Sequence, residues 1–216
     1  MKVMSRALVV LMALLPLACS GADEPKYKFG EHYTRVLSVQ TPANPNRIEV
    51  MEVFAYSCPH CYDFEPALQK WLAKQPADVE FVRMPHTLGQ RGGDVRNKAF
   101  YAARMLGVLD KFHPALFGAM HRERRAMATL EEVRALFVGT TGVPAADFDG
   151  AYSGFATDAG FRRGENVLRE MGISSVPALV VNGQYVASPN IAGGLGGTLA
   201  VTEFLVDKVR KERGKR

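Results

Sequence analysis

The chain has few cysteines, and this scarcity limits the metal chemistry open to it. Only three of its 216 residues are cysteine, and no second Cys-x-x-Cys pair is present. One histidine, His60, lies between two of the cysteines, and the others show no paired spacing; they are His32, His86, His113 and His121. Because a structural zinc site needs four Cys or His ligands, we expect no metal site.

Long apolar runs are also missing beyond the N-terminus, as are internal repeats, low-complexity tracts and basic patches interleaved with aromatic residues. The formal net charge of +5 at pH 7 is mild, and the basic C-terminal sequence VRKERGKR is typical of a solvated helix end. The hydrophobic content of 47% is ordinary for a globular protein. We therefore expect one well-buried domain, with no nucleic-acid partner.

The N-terminal segment has the pattern of an export signal. Lys2 and Arg6 precede an apolar run over residues 7–18, which is short for a transmembrane helix and is followed by small residues. We therefore predict a signal peptide over residues 1–22, with cleavage before Asp23.

The sequence LPLACSG supports an alternative processing of that segment. A lipoprotein signal over residues 1–18 would leave Cys19 as a lipid-bearing first residue and tether the protein to a membrane, although Pro16 departs from the usual pattern. Either route removes Cys19 from the chemistry of the folded domain. Cys58 and Cys61 then remain as its free thiols.

These two cysteines lie between a strand pattern and a helix pattern. Residues 47–56 are almost continuously apolar, which is typical of a strand buried on both faces. Pro59 suits the first turn of a helix, and apolar residues recur at helical spacing up to residue 72. With HYTRVL as a first strand and VEFVRM as a later one, the N-terminal part has the order β-β-α-β.

The rest of the chain is predicted to be helical and then to return to strands. Residues 94–169 show helical periodicity, with a glycine-interrupted connection from Phe148 to Phe155. Asn182-Gly183 indicates a two-residue hairpin between two strands. The sequence IAGGLGG should break the chain before a closing amphipathic helix.

Two α/β architectures fit this order of elements. One is a single domain with long crossovers, and the other is a thioredoxin-like sheet with an inserted helical subdomain. The position of the cysteines at a strand-to-helix turn favours the second. Its expected limits are 23–90 for the first thioredoxin-like part, 91–165 for the helical insertion and 166–216 for the second part.

The spacing of Cys58 and Cys61 suits disulfide exchange. A thiolate at a helix N-terminus is stabilised by unpaired backbone N–H groups and by the helix dipole. We therefore expect Cys58 to be the exposed reactive thiol and Cys61, one turn further on, to be its buried partner. His60 would further favour the Cys58 anion, and a stabilised thiolate makes the disulfide a stronger oxidant. A purely structural disulfide is disfavoured, because so small a loop gains little chain entropy.

An acidic residue and a proline are further candidates for the site. Glu52, six residues before Cys58 in the apolar strand, could hold or pass a proton for Cys61 if it is buried; the alternatives are a solvent-facing glutamate or an ion pair with Arg83 or Lys70. Glu65 is expected to be exposed or paired with Arg83.

Pro177 opens a later strand, where a proline cannot donate to the sheet. A cis Val176-Pro177 bond would face the cysteines and leave the Val176 backbone free to pair with an extended peptide. A trans proline that merely opens the strand is the alternative. The case for the cis form depends on a resemblance to a known family.

Over nearly all of its mature length the chain resembles the DsbA family of bacterial periplasmic thiol:disulfide oxidoreductases. CPHCYDFE, VMEVFAYS and GISSVPALVVNGQY carry the resemblance. It implies a thioredoxin fold with a helical insertion, a nucleophile at Cys58, a buried partner at Cys61, a cis-proline loop at Val176-Pro177 and a buried acid at Glu52. The dipeptide between the cysteines, Pro59-His60, is also part of the match.

The resemblance also implies a function and its partners. The protein would donate the Cys58–Cys61 disulfide, its only redox group, to reduced, newly exported proteins in the periplasm. A DsbB-like inner-membrane quinone reductase would reoxidise it. No other cofactor is expected, and we expect a monomer. The alternatives are a periplasmic disulfide isomerase or reductase, or a peptide-binding, chaperone-like module whose cysteines are idle.

Overall fold

The computed structural model describes residues 25–214. The predicted signal segment, including Cys19, lies outside these residues. The sheet is formed by five strands, which are β1 (Thr34–Arg35), β2 (Ile48–Phe54), β3 (Val79–Pro85), β4 (Ala178–Val181) and β5 (Tyr185–Ala187). The helices are α1 (Pro59–Leu72), α2 (Gly93–Met105), α3 (Leu109–His121), α4 (Leu130–Thr141), α5 (Ala145–Ser153), α6 (Phe155–Met171), α7 (Pro189–Ala192) and α8 (Gly194–Gly214).

The sheet is mixed and has β2 near its centre. Its strand order is β1-β5-β4-β2-β3. Strands β2 and β3 are parallel and are joined through α1, whereas the other neighbouring strands are antiparallel. Every residue of β2 is buried, as the continuous apolar pattern predicts for a strand that is covered on both faces.

Helices cover both faces of this sheet. On one face, Val50 and its neighbours pack against α1 and α8. On the other, Met51 and Val53 pack against the C-terminal part of α6. A third cluster, which contains Phe54, Tyr56 and Cys61, joins the end of β2 to helices α2–α5. The cysteine-bearing turn therefore lies where the sheet meets the helical segment.

This arrangement confirms the predicted α/β fold, a thioredoxin-like sheet with helices inserted between its two parts. The helical segment runs from α2 to α6. The predicted limit at residue 165 falls inside α6, which is one helix from Phe155 to Met171. The division of the chain into parts at residues 90 and 165 stays a prediction. None of the helices within residues 25–214 combines the length and apolarity needed to cross a bilayer.

The first strand is shorter in the structure than the sequence pattern predicts. Only Thr34–Arg35 of HYTRVL belongs to β1, which lies at the sheet edge and pairs with the three-residue β5. Beyond it, the Val36 N–H donates to the carbonyl of Gln184, and the Leu37 N–H donates to the carbonyl of Met171. The chain therefore turns towards the end of α6 instead of continuing along the sheet.

The predicted connection from Phe148 to Phe155 is wrong. Most of it belongs to α5, and only Gly154 separates α5 from α6. Phe148 and Ala151 are buried one helical turn apart. Their burial offsets the cost of about 1 kcal/mol for a glycine, here Gly150, inside a helix.

The predicted hairpin is present, but its loop has three residues. Val181 pairs with Tyr185, so Asn182, Gly183 and Gln184 all lie between the strands. Asn182 and Gly183 have φ values of 54° and 65°, the left-handed conformation that this turn requires. Gln184 is the additional residue; its N–H donates to the Val181 carbonyl, and its carbonyl accepts from the Val36 N–H.

The glycine-rich sequence IAGGLGG interrupts the chain at fewer residues than predicted. Only Gly193 lies between α7 and α8, and it and Gly194, the first residue of α8, have positive φ values of 78° and 90°. The remaining glycines belong to the first turns of α8. At Gly197 a side chain would collide with the carbonyl oxygen of Ala192, so the close approach of α7 and α8 explains this glycine.

Candidate active site

Cys58 and Cys61 lie at the N-terminus of α1, directly above the end of β2. A tight turn joins the two elements and is closed by the Cys58 N–H, which donates to the Ala55 carbonyl at 3.0 Å. Cys58 is the N-cap of α1, and Pro59 occupies the first helical position. The strand-to-helix placement predicted from the sequence is therefore confirmed.

The Cys58 sulfur is placed to be an anion. Its Sγ atom accepts a hydrogen bond from the Cys61 N–H at 3.2 Å. The side chain of Cys61 and this N–H lower the pKa of the half-buried Cys58 thiol to about 6, although partial burial opposes the change. The backbone of His60 and the charge of its imidazole lower it further. Helix-terminal donors act as expected for a reactive thiol.

Cys61 is in the opposite environment. Its side chain is fully buried, and burial raises the pKa of its thiol well above the ordinary value. The neighbouring Cys58 raises that pKa further. One thiol is thus accessible and acidic, and the other is enclosed and holds its proton.

A cis-proline loop faces the cysteines. The Val176-Pro177 peptide bond is cis, the form that the resemblance implied. The carbonyl oxygen of Val176 lies 3.8 Å from Sγ of Cys58. Beside this contact lies a groove of about 280 Å³, whose lining includes His60, Pro177 and Leu195. His60 is exposed at this groove, and Pro59, which precedes it in the chain, is exposed as well.

Glu52 is buried beneath this site. Its side chain is completely inaccessible, which excludes the solvent-facing alternative. The alternative contact with Arg83 is present, with Arg83 Nε 3.0 Å from Glu52 Oε2. Burial raises the pKa of Glu52 to about 8, against the effect of the Arg83 charge, and the Glu65 charge also raises it. Glu52 therefore mostly holds its proton at pH 7. Within residues 25–214 neither of its carboxyl oxygens has a hydrogen-bond partner.

Glu65 is the second carboxyl group at Arg83, as predicted. It accepts hydrogen bonds from Arg83 at 3.1 and 3.2 Å, from His113 at 3.1 Å and from Gln69 at 3.2 Å. Burial alone would raise the pKa of Glu65, but the hydrogen bond from His113 and the charge of Arg83 outweigh it and bring the pKa to about 2. Glu65 therefore carries the negative charge of the pair.

Three residues near the cysteines were missed by the sequence interpretation. Tyr56, in the turn before Cys58, contacts His113 through its hydroxyl and His121 through its carbonyl. The two histidines belong to α3, where the sequence showed only scattered positions. Their signal was their occurrence on a helix whose other residues are largely apolar. No group of three or more metal-ligating side chains occurs in the part of the chain that the structure describes.

An acidic thiol at a helix N-terminus, a buried partner thiol and a facing cis-proline loop define a thioredoxin-fold disulfide oxidoreductase. Comparison with known proteins gives the same class. The sequence profile of a thioredoxin family matches residues 45–199.

The chain belongs to the DsbA family. It is 35% identical over 203 residues to the thiol:disulfide interchange protein DsbA of Pseudomonas aeruginosa, which covers 94% of this chain and 95% of that relative. It is 36% identical over 183 residues to the Azotobacter vinelandii DsbA, with 85% of each chain covered.

Solved structures give the same assignment. The crystal structure of Pseudomonas aeruginosa DsbA superposes with a TM-score of 0.81 at 35% identity, over 87% of this chain and 97% of that one. The oxidoreductase DsbA from Xylella fastidiosa gives a TM-score of 0.77 at 30% identity, over 84% of this chain and 97% of that one. The protein is thus a protein-disulfide oxidoreductase.

Proposed function

We propose that the protein donates a Cys58–Cys61 disulfide to reduced, newly exported proteins and is then reoxidised by a DsbB-like quinone reductase of the inner membrane. The main supporting observation is the contrast between the two thiols. The Cys58 sulfur accepts the Cys61 N–H at 3.2 Å, whereas the Cys61 side chain is fully buried. A stabilised Cys58 thiolate favours the reduced protein, so the disulfide form is a strong oxidant.

The reaction transfers two electrons from substrate to enzyme in two exchanges. A substrate thiolate attacks Sγ of Cys58, the Cys58–Cys61 bond breaks, and a mixed disulfide forms. A second substrate thiolate then attacks the substrate sulfur of that disulfide and expels the Cys58 thiolate. The low pKa of Cys58, about 6, makes it a good leaving group in this second step.

Glu52 supplies a proton in the first exchange. The departing Cys61 sulfur has a raised pKa and leaves slowly as an anion. Glu52 is buried beneath it and, with a pKa of about 8, is protonated at neutral pH. It can therefore protonate the Cys61 sulfur as the bond breaks and recover the proton when the partner reoxidises the dithiol.

The groove beside Cys58 binds an extended segment of the substrate. Its apolar lining from Pro177 and Leu195 accepts side chains, and the Val176 backbone pairs with the substrate chain. His60 adds positive charge near the reacting sulfur. The oxidase direction is favoured over the reductase alternative because the Cys58 thiol is acidic.

The test is stoichiometric oxidation of a reduced, unfolded protein by the purified oxidised enzyme, followed by counting the free thiols of both. We expect one substrate disulfide per enzyme disulfide. The Cys58→Ser and Cys61→Ser variants should both be inactive, because neither can form the disulfide that accepts the substrate's electrons. Full activity of Cys58→Ser would exclude the proposal, and a glutathione equilibrium that keeps the enzyme oxidised would instead favour a reductase.

The protein acts in the periplasm as a monomer. Removal of the signal before Asp23 would release it, whereas lipid attachment at Cys19 would tether it to a membrane. Mass spectrometry of the mature N-terminus in a cell fraction distinguishes the two forms. An uncleaved chain in the cytosol would contradict both.

A further inference from the structure

Two histidines of helix α3 contact Tyr56, a residue of the turn before Cys58, one at its hydroxyl and the other at its carbonyl. His113 Nδ1 lies 3.0 Å from the Tyr56 hydroxyl, and His121 Nε2 lies 2.8 Å from the Tyr56 carbonyl oxygen. His121 is the last residue of α3, and its ring also stacks on Tyr62, with centroids 5.1 Å apart and an interplanar angle of 16°. Tyr56 and Tyr62 lie on either side of the cysteine pair.

The directions of these hydrogen bonds follow from their partners. A carbonyl oxygen can only accept, so His121 Nε2 carries a proton and donates to Tyr56. The ionised Glu65 also accepts only, so His113 Nε2 donates to it at 3.1 Å. Burial lowers the pKa of His113, so its ring is neutral and its Nδ1 accepts from the Tyr56 hydroxyl. Tyr56, His113 and Glu65 thus form one continuous chain of hydrogen bonds.

Tyr56 has direct influence on where the Cys58 sulfur lies. It is the second residue of the turn that the Cys58 N–H closes on the Ala55 carbonyl. A rotation of the Tyr56 peptide group therefore moves Cys58 relative to α1. The hydrogen bond from the Cys61 N–H to the Cys58 sulfur weakens steeply when its angle changes.

We propose that His121 and His113 are positioning residues for disulfide exchange, which fix the Tyr56 turn from helix α3 and thereby hold the Cys58 sulfur against the Cys61 N–H. A role limited to stability is the alternative. The Tyr56 ring is already enclosed by Phe54 and Phe117, whose centroids lie 5.1 and 5.0 Å from it. Apolar packing alone would retain the ring, but it does not specify the orientation of the peptide group.

The test compares His121→Leu with His121→Gln. Leucine removes the donor to the Tyr56 carbonyl, whereas the glutamine amide can still donate. For His121→Leu we expect the Cys58 pKa, measured from thiolate absorbance, to rise by about half a unit to one unit. The equilibrium with glutathione should shift towards the disulfide form by about three- to tenfold. His121→Gln should restore both values.

Tyr56→Phe is the second variant, because it removes only the hydroxyl that contacts His113. Like His121→Leu, it should raise the Cys58 pKa and shift the equilibrium with glutathione towards the disulfide form. Tyr101→Phe is its control, since Tyr101 is buried in the same apolar cluster but belongs to α2. His32→Leu is the control for His121, because His32 contacts Lys28 and Tyr27 instead of the turn. Neither control should change the Cys58 pKa.

The inference depends on Cys58 as the reacting thiol of the proposed function, and the two can fail separately. If His121→Leu and Tyr56→Phe lower the denaturation midpoint but leave the Cys58 pKa and the glutathione equilibrium at wild-type values, the histidines are only structural and the inference is wrong. If the wild-type Cys58 loses its proton only in alkali, the proposed function itself fails.

Discussion

The guanidinium of Arg83 lies between the carboxyl groups of Glu52 and Glu65, and it makes fewer contacts with Glu52 than with Glu65. Arg83 Nε is 3.0 Å from Glu52, whereas its NH2 group donates to both oxygens of Glu65, at 3.2 and 3.1 Å. His113 and Gln69 donate to Glu65 as well. Groups in such unlike environments titrate far apart. Glu65 therefore carries the charge, and Glu52 carries the proton.

Removal of the shared cation should destabilise the fold in a pH-dependent way. We expect Arg83→Met to cost about 3 kcal/mol at pH 7, because a largely buried Glu65 anion loses its ion pair. The lowered pKa of Glu65 means that its contribution is complete above pH 4.5 and is lost as the pH falls through about 2. The cost should accordingly be smaller in strong acid. Urea unfolding at several pH values measures it.

The matched control for this variant is Arg210→Met. Arg210 pairs with Asp78 near the surface, where both side chains are 41% exposed. Such pairs contribute about 1 kcal/mol or less. Equal losses for the two variants would show that the Arg83 cluster has no special energetic role.

Glu52→Gln should stabilise the protein at high pH. Because the pKa of Glu52 is raised from 4.5 to about 8, the folded state binds this proton more tightly than the unfolded state does. Wild-type stability therefore falls as the pH rises between these two values, and glutamine removes that fall. We expect a gain of several kcal/mol above pH 8 and no gain below pH 4.5. A gain that is independent of pH would contradict the raised pKa.

The same substitution should slow the chemistry. Without an acid to protonate the departing Cys61 sulfur, we expect Glu52→Gln to reduce the rate of substrate oxidation at pH 7 by about tenfold or more. The ratio of wild-type to variant rates should decline above about pH 8, where wild-type Glu52 itself loses its proton. Stopped-flow fluorescence can follow the reaction, since Trp71 on α1 is the single tryptophan.

Glu49→Gln is the control for that rate. Glu49 is also buried in β2, but it lies three positions from Glu52 and thus on the other face of the strand. Its loss should leave the rate of exchange unchanged. A similar decrease for both variants would mean that Glu52 affects only the integrity of β2.

The sequence predicted the parts of the site that depend on local chain order. The placement of Cys58 before a helix follows from Pro59 and the preceding strand, and the burial of Glu52 follows from its apolar neighbours. The sequence did not predict contacts between residues that are far apart in the chain. His121 meets Tyr56 only because α3 packs over the cysteine turn, and nothing in the spacing of 65 residues indicates this contact.

The errors in the fold have a similar physical origin. Glycines were interpreted as interruptions, but Gly150 and Gly197 are inside helices that bury apolar residues such as Phe148 and Val201. Tertiary packing thus overrode the local preference of glycine. At Asn182-Gly183 the local preference was decisive, because both residues need a positive φ.

The reduced and oxidised forms should differ in stability by an amount that depends on pH. The lowered pKa of Cys58 means that its thiolate stabilises the reduced fold fully above pH 9.0, and that this contribution is lost as the pH falls through about 6. The disulfide form has no such thiolate. The advantage of the reduced form should therefore grow between these two pH values.

Urea denaturation of both forms at a series of pH values measures this difference. The disulfide ring also restricts the unfolded chain, but that effect does not titrate and cannot produce a slope. When reduced Cys58→Ser takes the place of the reduced wild type in this comparison, the stability difference should no longer rise with pH. Serine has no thiolate for the Cys61 N–H to stabilise. A wild-type difference that stays constant from about pH 6 to pH 9.0 would mean that the helix N-terminus does not hold Cys58 as an anion.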